Sequence, residues 1–177
     1  MKTLITRLLM TFIAVAALAH SASAETMIGV VDTQKIMRDS KAAQSVRTQM
    51  QQKQKAFQNE LDAKEKQLRD EYQSLGKQKN TIEQAAFEQK VKEFRAKEVG
   101  AQREIQSKKL QIDKALAKSL ETIQKTTYDI VRAMAVEKKL NLVIYSTQVI
   151  YAEPQMDITN DVLTKLDSKL PTVSVAL

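Results

Sequence analysis

The chain has 177 residues, with 28 Lys and Arg against 21 Asp and Glu, and only 3 Gly, 2 Pro and 5% aromatic residues. It has room for one domain with an appendage and is poorly suited to a compact sheet protein. It has no cysteine, which excludes a disulfide framework, a lipoprotein-type thiol anchor and a thiol nucleophile.

Lys2 and Arg7 form a basic start, Leu8 to Leu18 a short apolar run, and Ala22-Ser23-Ala24 an A-x-A cleavage site; together they read as a removable signal peptide, residues 1–24. The run is too short for a typical membrane span and no second one follows, so the mature chain is expected to begin at Glu25 and to be soluble and exported. Removing two basic residues and no acidic one leaves 26 Lys and Arg against 21 Asp and Glu, lowering the formal charge from +7 to +5. His20, the only histidine, leaves with the signal. The mature chain then has no imidazole for a zinc site or a triad.

The stretch "MIGVVDTQKIM" from Met27 has strand composition, and Gly29 within it implies a close backbone approach. Asp32-Thr33 can cap a short helical turn, and Asp39-Ser40 a helix starting near Lys41. From there Val46, Met50, Phe57, Leu61, Leu68 and Tyr72 step by four, seven, four, seven and four. An eleven-residue repeat, about 3.67 residues per turn, keeps a narrow stripe nearly straight along a helix. Such a stripe covers one partner helix and no more.

Leu75-Gly76 and Asn80-Thr81 punctuate the pattern, placing a hairpin tip near 76–81. Ile82 to Lys139 reads as a second helix, with Phe87, Val91, Phe94, Ala101, Ile105, Ile112, Leu116, Ile123, Ile130 and Met134 at spacings of three, four and seven. A first helix of about 38 residues spans ~55 Å and a second of about 57 spans ~85 Å. Glu60/Lys64, Asp62/Lys66, Glu65/Arg69, Glu88/Lys92, Glu93/Lys97 and Glu104/Lys108 are acid-before-base pairs at i,i+4, each contributing a few tenths of a kcal/mol on a solvated helix surface.

Asn141 fits a left-handed helix cap. "LVIYSTQVIYA", Leu142 to Ala152, resumes strand composition as two strands, joined without an Asn-Gly type of tight turn. "DITNDVLTKLD", Asp157 to Asp167, opens on capping residues and reads as a short helix. The expected fold is mainly α with a small β body: a long antiparallel coiled-coil hairpin, residues 41–134, inserted into a sheet or barrel-like oligomerisation domain made of residues 25–40 and 135–177. Three short strands and two short helices make a thin core, for which self-association is the remedy. Ile28, Val30, Val31, Leu142, Val143, Ile144, Val149, Ile150, Val162 and Leu163 are the residues expected to build that body and join its copies.

The A-x-A signal, the "MIGVVD" strand, the charged hairpin, "LVIYSTQVIYA" and the closing "DITNDVLTKLD" occur in that order and resemble the Skp/OmpH family of periplasmic chaperones. The resemblance covers essentially the whole mature chain, its specific parts being the two ends. It implies a trimer with a β-rich body and three helical arms around a cavity, holding unfolded outer-membrane β-barrel proteins without ATP. It carries no catalytic residue and no cofactor. Met50, Phe57, Leu61, Tyr72, Phe87 and Phe94 are candidate apolar contacts to such clients, in competition with the hairpin's own seam. Lys77, Lys79 and Arg95 are candidate charged contacts. With Lys97, Arg103, Lys108 and Lys109 they supply basic charge without a distinctive spacing, read first as an ordinary arm surface and second as a site for lipopolysaccharide or an anionic membrane surface.

The physical logic of a holdase fits such a chain better than that of an enzyme, because helices have satisfied their own backbone hydrogen bonds and offer no edge to a client strand. The alternative is a non-enzymatic envelope coiled-coil scaffold or spacer. A nucleic-acid binder is disfavoured by export and by basic segments lacking aromatic interleaving. "LGKQKN" lacks the glycine pattern and Ser/Thr of a P-loop. Asp32 and Asp157, imaginable as paired carboxylates, are better read as caps.

Overall fold

The computed structural model describes residues 26–176, so the expected signal peptide and Glu25 lie outside the described residues. Strand β1 (Ile28–Val31) leads into helix α1 (Thr33–Asp39) and two long helices, α2 (Lys41–Gln78) and α3 (Gln84–Glu137). Strand β2 (Leu142–Tyr145), 3-10 turns at Ser146–Gln148 and Pro154–Met156, and helix α4 (Thr159–Lys169) complete the chain. The expected mainly helical hairpin with a small strand body is therefore the architecture found.

β1 and β2 pair in parallel, Ile28 opposite Leu142 and Val31 opposite Tyr145. Parallel neighbours need a crossover, and here the crossover is the whole α2–α3 hairpin. Asn141 lengthens the pair: its N–H donates to Met27 O at 2.8 Å and its side-chain Oδ1 accepts from Met27 N at 2.9 Å. On the other edge of β1, Ile158 N donates to Val30 O at 2.9 Å and Val30 bridges to Asp157. β1 is thus bonded on both edges, whereas β2 has strand β1 on one side alone among the described residues.

Two expectations for this region are corrected. The stretch from Leu142 to Ala152 holds one strand rather than two, so the sheet of a single chain is a two-stranded pair. Ser146–Gln148 forms a 3-10 turn, Val149 N donating to Ser146 O at 3.2 Å, and nothing there folds the next residues back along β2. The left-handed residue ending α3 is Lys139, with φ 55°, and not Asn141. Leu140 N donates to Ala135 O and Lys139 N to Val136 O, the paired bonds of a Schellman stop, which set the αL position two residues before Asn141.

Gly29 does sit at a close approach. A Cβ there would lie 2.9 Å from Leu140 Cδ1 and 3.4 Å from Ile158 Cδ1.

The caps are local. Asp32 Oδ1 accepts from Lys35 N at 2.8 Å and Ser40 Oγ from Ala43 N at 3.2 Å, whereas Asp157, expected as a cap, stands one residue before the N-cap position of α4, Ile158, and accepts from Thr159 N at 2.8 Å. Longer links join α4 to the start of the chain: Thr159 Oγ1 accepts from Asp32 N at 2.9 Å, and Asp167 Oδ1 accepts from Lys41 N, an orphan donor of the first turn of α2, at 2.8 Å. The core lies where these elements meet the base of the hairpin. Ile36, Ile123, Met134, Leu166, Val46 and Val162 are its largest fully buried apolar side chains. The C-terminal segment joins it too, with Val173 and Val175 buried and the Gln49 amide bonded to Val173 O at 2.7 Å and Val175 N at 3.0 Å.

Gly76 does not break α2, which runs on to Gln78, so the turn falls at Lys79–Glu83 instead of beginning at Leu75-Gly76. The interhelical seam carries the helix through, because Leu75 is buried against its partner helix. A Cβ at Gly76 or Gly100 would meet nothing within 4 Å. Gly76→Ala and Gly100→Ala are therefore each expected to stabilise the chain by about 0.5–1 kcal/mol. Thermal melts followed by far-UV circular dichroism check this, with an unchanged or lower melting temperature counting against it.

Candidate functional site

Along the hairpin the apolar stripe of α2 faces that of α3. Val46, Met50 and Leu75 are buried on α2, and Phe94, Ala101, Ile112, Ala115 and Ile123 on α3, with Phe57, Leu61 and Phe87 half-buried. Tyr72 departs from the expected seam. It is 67% exposed, its ring tilted against Phe94 at 5.9 Å between centroids, while Leu75 takes the inner position. A phenol retains its hydroxyl in water where an aliphatic neighbour can fill the gap.

Charges on one flank bridge the two helices. Lys64 pairs with Glu104 at 3.0 Å, Lys97 with Glu71 and Lys108 with Glu60. Seven residues back along α2, from Glu71 to Lys64, move the partner seven forward, from Lys97 to Glu104; four more, to Glu60, bring Lys108. These pairs replace the expected i,i+4 pairs Glu60/Lys64, Glu93/Lys97 and Glu104/Lys108, none of which forms; nor do Asp62/Lys66, Glu65/Arg69 or Glu88/Lys92. Each contributes little alone because its ends are solvated, but the constant stagger fixes the register of the arm.

The candidate client contacts therefore divide. Met50 and Phe94 belong to the buried seam, Phe57, Leu61 and Phe87 lie at its margin, and Tyr72 stands in solvent, as do Lys77, Lys79 and Arg95. Exposed apolar residues that the seam spacing does not identify lie on α3: Val99 (51%), Leu110 (54%), Leu120 and Tyr128. Val99 and Leu110 are eleven residues, three turns, apart and so share a face, roughly half a turn from buried Ala101. Their off-seam spacing is a signal present in the sequence, masked by the stronger seam pattern.

That face leads toward the body, where Leu120, Gln124 and Tyr128 of α3, Met37 of α1 and Tyr145 of β2 line a groove of about 440 Å³. A contiguous hollow of about 320 Å³ continues past Val131, Arg132, Val143 and Ile144. The Tyr128 and Tyr145 hydroxyls are 3.2 Å apart, and Gln124 Nε2 donates to Tyr128 Oη at 2.9 Å. This chain holds the Tyr128 phenol below its ordinary pKa, first through Tyr145 and then Gln124, while the bond to Tyr128 raises that of Tyr145. Nearby, the Lys165 ammonium bonded to Glu137 at 2.6 Å keeps that carboxyl below its ordinary range.

The body residues named from sequence take two positions. Val30, Val31 and Val162 are buried in the chain's own core, and Ile28, Val143, Ile144, Val149 and Leu163 are half-buried. Leu142 (49%) and Ile150 (107%) are exposed, with Tyr151 beside Ile150 at 80%. Among the described residues no cluster of His, Asp or Glu could hold a metal ion, and no helix is long and apolar enough to cross a membrane. Asp32 and Asp157 spend their carboxylates on backbone N–H groups.

Comparison with known proteins agrees with this architecture. An uncharacterised protein of Aquifex aeolicus is 29% identical over 162 residues, 88% of this chain and 95% of the relative. A candidate outer membrane chaperone (OmpH-like) from Caulobacter crescentus has the same fold, with a TM-score of 0.77 at 22% identity over 86% of this chain and 90% of its own. The model of the outer membrane protein (OmpH-like) family matches residues 27–166, from the first strand to the last turn of α4, and the chain belongs to that family.

Proposed function

We propose that the chain is a periplasmic, ATP-independent holdase that binds unfolded outer-membrane β-barrel proteins between the helical arms of a homotrimer and keeps them from aggregating. It is exported by its cleavable signal peptide, and it is not an enzyme. The observation that carries this reading is the arm itself: 38 and 54 residues of paired helix, with the fully buried core gathered at one end. The remaining length, tens of ångströms at 1.5 Å per residue, exists as surface. Family membership supports a chaperone role.

The chemistry of such a surface suits transient holding. An unfolded barrel strand exposes apolar side chains and unpaired backbone groups that would pair with another client. The arm offers no strand edge, while Tyr72, Val99 and Leu110 supply scattered apolar contacts amid Lys and Arg. Many weak contacts sum to useful retention, yet each exchanges readily, so release needs no nucleotide. Lipopolysaccharide or an anionic membrane surface is a second partner for the basic arm, by long-range attraction.

A denatured outer-membrane barrel protein, diluted from denaturant with and without the purified mature chain, tests the proposal. Light scattering is expected to fall to near baseline at stoichiometric chaperone without added ATP, and undiminished scattering would overturn the reading. Recovery from cell envelopes of one folded, stoichiometric partner in place of unfolded barrel proteins would favour a scaffold.

A further inference from the structure

Residues 172–176 follow α4 with neither helix nor strand of their own, yet they are held as a strand would be. Val173 and Val175 are 7% and 2% exposed, whereas Thr172, Ser174 and Ala176 are exposed. A period of two is that of an extended chain with one face covered. The cover is the root of the arm. Gln49 of α2 bonds on both sides of Ser174, its Nε2 donating to Val173 O at 2.7 Å and its Oε1 accepting from Val175 N at 3.0 Å. Ser119 of α3 adds a long contact from its Oγ to Ser174 O at 3.4 Å. One turn back, Ser45 Oγ accepts from the same Gln49 Nε2 at 2.9 Å and so fixes the orientation of the amide.

Ordinary core packing does not require such recognition. A side-chain amide that bonds a backbone N–H and a backbone C=O is indifferent to the sequence of the segment it holds. The two valines join the apolar cluster that includes Val46 and Met50 of α2 and Ile112 and Ala115 of α3. Gln49 and Ser119 lie within residues 27–166, the stretch that matches the family, while the segment they hold lies beyond it. The occupant displays what the cleft accepts: an extended segment with β-branched apolar residues at alternate positions and small polar ones between. Transmembrane barrel strands have that alternation, apolar toward lipid and polar toward the lumen.

We propose that the cleft between α2 and α3 at Gln49 and Ser119 is a binding site for one extended client strand, occupied in the free protein by residues 172–176 and vacated when a client strand displaces them. The proposal rests on the holdase reading and names one place where the client is gripped. A single amide offers two backbone bonds rather than a ladder, so the strand is held without being added to a sheet. The tethered tail competes at an effective concentration of about millimolar. It covers the apolar cleft when no client is present and returns when a client leaves.

Val173→Asp with Val175→Asp tests this in the whole chain, because buried carboxylates are expelled from an apolar cleft. The tail carries no helix, so far-UV circular dichroism of the variant should match the wild type. A labelled peptide in which valine alternates with serine, followed by fluorescence anisotropy, is expected to bind the variant roughly tenfold or more tighter than the wild type, whose own tail competes. A peptide of the same residues with the valines grouped should bind neither. Adding Gln49→Leu to the variant should weaken the alternating peptide about tenfold, through the loss of two backbone bonds.

Equal binding of the alternating peptide by wild type and variant, or equal binding of the two peptides, would overturn the proposal. The unmodified chain gives a second measurement that no substitution can disturb. Hydrogen exchange at Val175 N–H should quicken about tenfold when a denatured barrel protein is held in solution by the chain, and unchanged exchange would equally overturn the cleft. Light scattering separates this proposal from the reading it rests on. Suppressed aggregation without peptide binding removes the cleft and leaves the holdase, whereas peptide binding without suppression removes the holdase and leaves a strand-binding cleft.

Discussion

Leu166→Ala is expected to cost about 2–5 kcal/mol of stability, the range for truncating a fully buried leucine in a core that cannot collapse around the void. Leu166 is 0% exposed and stands among Ile36, Ile123, Met134 and Val162, side chains contributed by α1, α3 and α4. The three helices are held at fixed separations by the strand pair and by backbone links to α4, so the cavity remains. For a chain of this size such a loss lowers the melting temperature by about 4–20 °C. The comparison variant is Leu110→Ala, on the exposed arm face, which should change it by little. Equal effects at the two sites would mean that the core does not lie at the base of the hairpin.

The contrast between those two leucines also shows what a linear reading could and could not find. Helix capping by Asp32 and Ser40 was legible, as was the bond Asp157 makes just before α4, because the donor each accepts from lies two or three residues away. So was the hairpin, whose stripe repeats over many turns. The ionic partners were not. Glu60 satisfies an i,i+4 rule with Lys64 equally well on a lone helix, and only the stagger of the second helix sends it to Lys108. Seam position likewise masked Val99 and Leu110, since their eleven-residue repeat is polar at its other turns.

Tertiary context decided the remaining differences. "STQVIYA" has the composition of a strand, yet a strand forms only against another strand's edge, and the 3-10 turn at Ser146–Gln148 does not fold these residues back along the open edge of β2. The three-strand expectation is therefore a statement about composition that one copy cannot satisfy. The terminal Val173 and Val175 pack into the core through a Gln49 amide that accepts and donates as a strand would. No periodicity announces that contact, because it depends on one side chain's reach from the base of α2. Lys139 at φ 55° is similar: the Schellman bonds to Ala135 and Val136 dictate the position, and the residue there tolerates it.

Thr159→Val combined with Asp167→Ala is expected to cost about 2–4 kcal/mol, by loosening the joint between α4 and the root of the arm. Thr159 is 1% exposed and its Oγ1 accepts from Asp32 N at 2.9 Å. Valine keeps the shape and removes the acceptor, so a sequestered N–H loses its partner at a cost of about 1–3 kcal/mol. Asp167 Oδ1 satisfies Lys41 N at the first turn of α2, and losing such a cap costs about 1 kcal/mol. The two residues lie eight positions apart on α4, roughly 12 Å, and share no partner, so their effects should add. Thermal melts of both single variants and the double check this. Because Asp167 reaches the arm's first residue and Thr159 the strand-to-helix corner, the double variant should also, on the holdase function proposed above, lose client retention before the arm loses helix. A double variant that melts no lower than either single one would show that α4 is held by its apolar face alone.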